Sequence, residues 1–119
     1  MKFLMLIHQG SAPTPRSPEE WSRLSEDEQQ AVYGDYKAIN ETPGVTPGLQ
    51  LDSPETATTV RVEDGKTLTT DGPFVATKEA LGGYFLLEAG DLDAAIELAA
   101  RVPAARMGGA IEVRPIVEW

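Results

Sequence analysis

The sequence contains no cysteine, which excludes disulfide bonds, thiolate nucleophiles and zinc sites built on sulfur. A single histidine among scattered carboxylates does not have the spacing of a metal site, and no glycine-rich phosphate loop is present. We therefore expect neither a metal nor a cofactor. Ten basic residues against 19 acidic ones give a formal net charge of −9. Such a chain lacks the basic face that nucleic acid or an anionic membrane requires.

Long hydrophobic runs are also absent. The N-terminal run Phe3–Ile7 is too short for the core of a signal peptide and has no small-residue cleavage site after it. We expect a cytoplasmic protein in which residues 1–119 form one domain, since the length and the 41% apolar content are ordinary for a soluble globule.

The segment Lys2–His8 predicts a strand that is covered on both faces, because both of its alternating sets of side chains are apolar. The two sets are Phe3, Met5 and Ile7 on one face, and Leu4 and Leu6 on the other. Helices on one face would leave the other face exposed. The segment Phe85–Leu87 has the same character, so we expect a homodimer in which a second subunit covers that face.

Two capping boxes predict helix starts. Ser17–Glu20, with proline at the first helical position, predicts a short helix, and Ser25–Glu28 begins a main helix over about Glu26–Glu41. The expected inner stripe of the main helix is Val32, Tyr36 and Ile39.

The second half of the chain predicts a hairpin and a further αβ unit. A weak strand, Val45–Asp52, is followed by Thr56–Val62 and Lys66–Thr70, which are joined by a turn at residues 63–65. Asp91 is the expected N-cap of a second helix, which ends at Pro103. Its expected inner face is Leu92, Ala95, Ile96, Ala99 and Val102.

The last strand, Ile111–Trp119, carries Pro115, which predicts a sheet edge or a bulge. Without the hairpin, the order of elements is βαββαβ. The fold class expected from this order is α+β and ferredoxin-like, with an inserted β-hairpin.

About a dozen residues separate the hairpin from the next apolar run, more than a simple reversal of the chain needs. This stretch, Asp71–Tyr84, contains a Gly-Pro turn, an aromatic residue, a Lys-Glu pair and a double glycine. Loops of this length are usually functional or disordered, and so much fixed backbone chemistry favours a structured loop that builds a site.

The same stretch resembles the YCII-related, DGPF-domain family, through Asp71-Gly72-Pro73-Phe74, Lys78-Glu79 and Leu81-Gly82-Gly83-Tyr84. The N-terminal strand, Leu24–Glu28, Ala57–Arg61 and Glu112–Ile116 resemble family segments in the same order. The resemblance implies a ferredoxin-like domain that dimerises through its sheets as a dimeric α+β barrel. The family's biochemical role is poorly defined.

His8 and Asp71 are the candidate catalytic residues. His8 ends the first strand and is the side chain that would titrate nearest neutral pH. Some YCII-related proteins are thought to use a His-Asp dyad, which makes Asp71 its candidate partner. Asp71 is equally interpreted as a turn-forming residue that accepts backbone hydrogen bonds.

The remaining candidates bind a ligand or shape the loop. Gly72 and Pro73 set its direction, and Phe74 covers a pocket or, as the favoured alternative, fills the core. Lys78 would hold an anionic ligand or lie in solvent. The other candidates are Gly83, where the backbone allows close approach, and Tyr84, whose hydroxyl could reach the site.

Three functions are compatible with these residues. The first is a cofactor-free enzyme that acts on a small polar organic molecule. The second is a non-catalytic ligand-binding or regulatory module, because relatives with this motif are sometimes associated with sigma factors. The third is a structural dimer. An enzyme should place two titratable groups within hydrogen-bond reach of one cavity, whereas a binder needs apolar walls and a polar anchor.

Overall fold

The computed structural model describes residues 1–15, 17–75 and 81–118. The strands are β1 (Lys2–His8), β2 (Val45–Thr46), β3 (Thr58–Glu63), β4 (Lys66–Asp71), β5 (Leu81–Glu88) and β6 (Ala110–Pro115). The helices are α1 (Pro18–Ser22), α2 (Glu26–Asn40), α3 (Leu92–Ala99) and α4 (Pro103–Arg106), with a 3-10 turn at Pro54–Thr56. Within the described ranges, no helix is both long and apolar enough to cross a membrane.

Four strands form one antiparallel sheet in the order β2-β5-β1-β6. The first strand is therefore central and lies beside β5. β5 follows the loop that begins with Asp71-Gly72-Pro73-Phe74, which we call the DGPF loop. This is the arrangement expected of a ferredoxin-like α+β fold, and the fold class is confirmed. The inserted hairpin β3-β4 forms a separate two-stranded sheet.

The core lies between the helices and one face of the sheet. Phe3 and Met5 are 0% exposed, and alternate residues of β5 lie beside them. The helices contribute Ile39, Ala95, Leu98 and Ala99, and the turn between α3 and α4 contributes Val102. The opposite face of the sheet, which we call the open face, carries Leu4, Leu6, Tyr84, Leu86, Glu112 and Arg114.

The capping box that begins α2 is confirmed. The Ser25 hydroxyl accepts from the Glu28 backbone at 3.1 Å, and the Glu28 carboxylate accepts from the Ser25 backbone at 2.9 Å. The capping box expected at Ser17 is wrong, because the Ser17 hydroxyl bonds to both backbone groups of Thr14. That exchange closes the preceding turn and leaves no cap for α1.

The expected inner face of α3 is partly wrong. Ala95, Ala99 and Val102 are buried, but Leu92 and Ile96 are 47% and 50% exposed. The buried stripe is rotated towards Leu98, which is 4% exposed. Ile96 follows Ala95 by a turn of roughly 100° about the helix axis, which carries it off that stripe. The helix itself ends at Ala99, and Pro103 starts α4 instead of stopping α3.

Strand bounds differ from expectation at two edges of the sheet. The weak strand is reduced to β2 and one bridge between Gln50 and Gly83, because Pro47 and Gly48 interrupt it. At Gly48, a Cβ atom would lie 1.9 Å from the Tyr84 carbonyl oxygen, so the approach to β5 requires glycine. The last strand ends at Pro115, and its position at the sheet edge is confirmed.

The hairpin of residues 58–71, which we call the arm, projects from the body. Its turn has positive φ at Asp64 (51°) and Gly65 (74°), as a two-residue hairpin turn demands. Val60, Val62 and Leu68 are 60%, 67% and 45% exposed. The radius of gyration is 16.2 Å, against about 13.5 Å for a compact chain of this length. The extended shape is consistent with an arm that has little cover from its own chain.

Candidate functional site

Two recesses lie at the same end of the main sheet, where β1 ends and β5 begins. His8 pairs with Leu81 and Ile7 with Gly83, so the register shifts by one residue between them. Successive residues of a strand point to opposite faces. Ile7 borders a cavity of about 310 Å3 among the helices, and His8 borders a cleft of about 940 Å3 on the other side. We call these the helix-face cavity and the open-face cleft.

The open-face cleft contains the pair His8 and Glu112. β6 lies beside β1, with Leu6 opposite Glu112 and His8 opposite Ala110, so the two side chains share one face. The His8 Nε2 atom is 3.3 Å from Glu112 Oε1. The remaining described walls come from the segment before the arm, from the DGPF loop, and from the starts of β5 and β6. They are Leu51, Asp52, Ser53, Pro54, Thr56, Ala57, Pro73, Val75, Leu81, Ala110 and Ile111.

Arg114 favours the ionised form of Glu112 by lowering the pKa of its carboxyl group. Its guanidinium donates to Glu112 Oε2, while His8 lies on the other carboxylate oxygen. The Arg114 hydrogen bond lowers the pKa of Glu112 and the His8 hydrogen bond adds to this effect, although desolvation opposes both. Glu112 is therefore a carboxylate, which can only accept hydrogen bonds. It follows that the Nε2 atom of His8 carries the proton in this contact.

A histidine held by a carboxylate at the wall of a cleft can give or take a proton. The His8 and Glu112 side chains are 29% and 40% exposed, so both are accessible to a ligand. Two titratable groups within hydrogen-bond reach of one cavity is the arrangement expected of an enzyme. The described ranges contain no group of three acidic or histidine side chains that could hold a metal ion.

Asp71 is not among the described residues that border the open-face cleft with His8. It is the last residue of β4, lies opposite Thr58 and is exposed. Its carboxylate makes no hydrogen bond to the part of the chain that the structure describes. Gly72 has the shaping role expected of it. Its φ is 100°, its N–H donates to Ala57 at 2.7 Å, and its carbonyl accepts from the Thr59 hydroxyl at 2.8 Å.

The other loop residues are divided between the cleft and solvent. Pro73 borders the open-face cleft together with Val75. Phe74 is 73% exposed, which overturns the expectation that it fills the core; its ring lies 6.0 Å from the Arg61 guanidinium carbon. At this distance the ring lies within reach of a cation–π contact with the side of the arm. Lys78 lies outside the described residues.

Gly83 borders the helix-face cavity instead of the open-face cleft. Tyr84 borders the same cavity, although its register opposite Leu6 directs its side chain to the open face. A Cβ atom on Gly83 would lie 3.1 Å from the Leu49 carbonyl oxygen, so the close backbone approach expected there is made by the chain's own β2 extension. The predicted ligand-binding residues are therefore divided between two recesses.

Glu112 was missed by the sequence reasoning. Glu112 and Arg114 alternate on one strand, so they face the same side. The ferredoxin-like order places that strand beside the first one. Together, strand alternation and sheet order are the signal in the sequence that places Glu112 beside His8.

Two comparisons with known proteins identify the family of this chain. The family model for the YCII-related domain matches residues 1–119. An uncharacterized protein of Rhizobium meliloti, R00369, is 34% identical over 100 residues, which cover 80% of this chain and 81% of the relative. The chain therefore belongs to the YCII-related family.

Proposed function

We propose that the open-face cleft binds a small polar organic molecule and that the protein acts on it as a cofactor-free acid–base enzyme. The observation that carries this proposal is the contact between His8 and Glu112 at the cleft wall. His8 is the residue that exchanges a proton with the substrate, and Glu112 is a positioning residue that holds the imidazole. Arg114 keeps Glu112 ionised.

Asp71 enters the proposal as a carboxylate near the mouth of the cleft. It directly precedes Gly72 and Pro73, and Pro73 is a wall residue. Lys78, in the same loop, is proposed to hold an anionic group of the ligand. In this proposal, the DGPF loop adds a carboxylate and a cation to the His8–Glu112 pair.

Hydrogen exchange at carbon tests the acid–base role without a known substrate. A panel of small hydroxy and keto compounds is incubated in D2O, and loss of carbon-bound protons is followed by NMR. We expect catalysed exchange in at least one compound, and a rate lowered about 10²- to 10⁴-fold in His8→Gln, the usual contribution of a general acid or base. Glu112→Gln should also slow exchange.

The matched control is Glu118→Gln, since Glu118 makes the same kind of exposed ion pair, with Lys2 at 3.8 Å, outside the cleft. Exchange that is equal in the parent and in His8→Gln contradicts the proposal.

We also propose that the functional unit is a homodimer. Leu86 on the open face is 38% exposed, and the arm exposes Val60 and Val62 at 60% and 67%. A two-stranded hairpin is only marginally stable in water on its own. A second copy related by a two-fold axis would cover both surfaces at once. In light scattering at micromolar concentration, the parent should have twice the 12.8 kDa chain mass, and Leu4→Lys should have the mass of one chain.

A non-catalytic ligand-binding or regulatory module, in the setting of sigma-factor control that the family resemblance suggests, is the second candidate. The helix-face cavity favours it, because that cavity has apolar walls and polar groups at its mouth. In the exchange experiment, this function is supported by compounds that shift amide resonances of the protein and undergo no exchange.

A further inference from the structure

The helix-face cavity is larger than a packing defect. Its volume of about 310 Å3 is roughly ten times the share of one water molecule. Its floor is made of core side chains, including Ile39 at 2% and Ala104 at 1% exposure. Protein cores normally fill space of this size, because every lost contact weakens the packing. A recess that persists at this depth has the size of a small-ligand site.

Aromatic rings form one wall of the cavity. Trp21 and Tyr33 meet edge to face, with ring centroids 5.5 Å apart and planes at 71°. Tyr36 lies three residues after Tyr33, about one turn further along α2, and also borders the cavity. Flat faces and edges of this kind favour a flat partner, because rings stack or meet at their edges at such distances.

The described walls of the cavity carry no charged side chain, although the chain has a net charge of −9. Burial raises the pKa of Tyr36, and the nearby Arg106 charge only partly offsets this effect. Its hydroxyl is therefore a neutral donor. A charged ligand would lose its water shell here and meet no charged wall residue among those described. The nearby Arg106 is already paired with Asp35.

Polar side chains surround the mouth of the cavity. Those of Tyr36, Asn40 and Gln50 border it, and none of them makes a hydrogen bond to any described residue. Amide groups can donate and accept, and the phenol can do both as well. A ligand with a neutral amide or carbonyl edge would match them.

We infer that the helix-face cavity binds a neutral, flat molecule with an aromatic body and an amide-like polar edge. The body packs against Trp21 and the Ile39 floor, and the polar edge faces Asn40 and Gln50. This site lies on the opposite side of the sheet from His8. It gives the second candidate function its ligand class and does not rest on acid–base chemistry in the cleft.

A matched pair of probes tests the inference by isothermal titration. Indole-3-acetamide and indole-3-acetate share one ring system and differ in charge. We expect saturable binding of the amide and at least about tenfold weaker binding of the acetate, because the anion must be buried without a partner charge. Equal affinities, or no saturable binding of the amide up to its solubility limit, would overturn the inference.

Two variants place the probe in the cavity. Ala104→Leu fills the floor and should weaken amide binding at least about tenfold, as steric misfit in apolar pockets does. Ala105→Leu is the matched control, since Ala105 is exposed on the same short helix. Should Ala104→Leu fail to fold, Tyr36→Phe keeps the volume and removes one donor, for an expected loss of about two- to tenfold.

His8→Gln separates this inference from the proposed enzyme. It should leave amide binding unchanged, because His8 borders the other recess. Unchanged affinity in Ala104→Leu, or a loss in His8→Gln that matches the loss in Ala104→Leu, would show that the probe binds elsewhere.

Discussion

Ile7 and His8 are neighbours in one strand, yet they border recesses of opposite character. The helix-face cavity that Ile7 borders contains no charged side chain among its described walls. His8 instead contacts the Glu112 carboxylate, which Arg114 also contacts. The alternation of a β-strand is sufficient to produce this difference. A ferredoxin-like sheet with helices on one side therefore places a recess with uncharged described walls and a recess with charged walls at adjacent residues of one strand.

The largest effect on stability is expected from a substitution in the core, on the face of the sheet that the helices cover. Met5 is 0% exposed, and Met5→Ala should lower the free energy of unfolding by about 2–5 kcal/mol, because it leaves a cavity in the core. Leu4→Ala, one residue away on the open face, should lower it less at low protein concentration. Urea unfolding of both variants measures the contrast. Equal losses would mean that the two faces are packed alike.

A smaller effect is expected at the foot of the arm. The Thr59 hydroxyl donates to the Gly72 carbonyl at 2.8 Å and so ties the DGPF loop to β3. Thr59→Val removes this hydrogen bond with little change in shape, and the expected loss is about 0.5–1.5 kcal/mol. Hydrogen exchange of the Gly72 amide, which donates to Ala57, should also become faster. A Gly72 amide protected as in the parent would show that the hydroxyl does not hold the loop.

The smallest effect concerns pH on the open side. The folded-state pKa of Glu112 lies below its ordinary value of 4.5, chiefly because Arg114 donates to it. Its contribution to stability is therefore present above 4.5 and is lost as pH falls through the lowered value. Unfolding temperatures of the parent and Glu112→Gln, scanned from about pH 7 to about pH 3, should converge at the acidic end. A difference in unfolding temperature that stays constant across the scan would contradict a stabilising contact between ionised Glu112 and Arg114.

Much of the fold could be predicted because local signals and the global arrangement agree. The Ser25 capping box and the Asp91 N-cap both form, with side-chain oxygens that accept from backbone amides three residues later. The capping box predicted at Ser17 does not form, because the Ser17 hydroxyl is hydrogen-bonded to the Thr14 backbone instead. The sequence pattern alone does not distinguish these two hydrogen-bond partners. The prediction that Ile96 lies on the inner face of α3 is wrong, because helical spacing alone does not separate an apolar residue beside the buried stripe from one within it.

The site was harder to predict than the fold. His8 was found because it is the single histidine and ends a buried strand. Its partner Glu112 is 104 residues away, and only sheet order brings them together. Motif reasoning pointed instead to Asp71, whose position is set by hairpin register and which remains a proposal. The sequence motifs thus identified the DGPF loop. The carboxylate that contacts His8 is Glu112, and only the pairing of β1 with β6 identifies it.

We propose that Glu112 orients His8 and that Asp71 does not. Long-range 1H–15N correlation spectra of the neutral imidazole test it most directly, because they identify which ring nitrogen carries the proton. We expect the Nε2–H form in the parent, the same form in Asp71→Ala, and a mixture of tautomers in Glu112→Ala. An Nδ1–H imidazole in the parent, or a tautomer that changes in Asp71→Ala and not in Glu112→Ala, would contradict it.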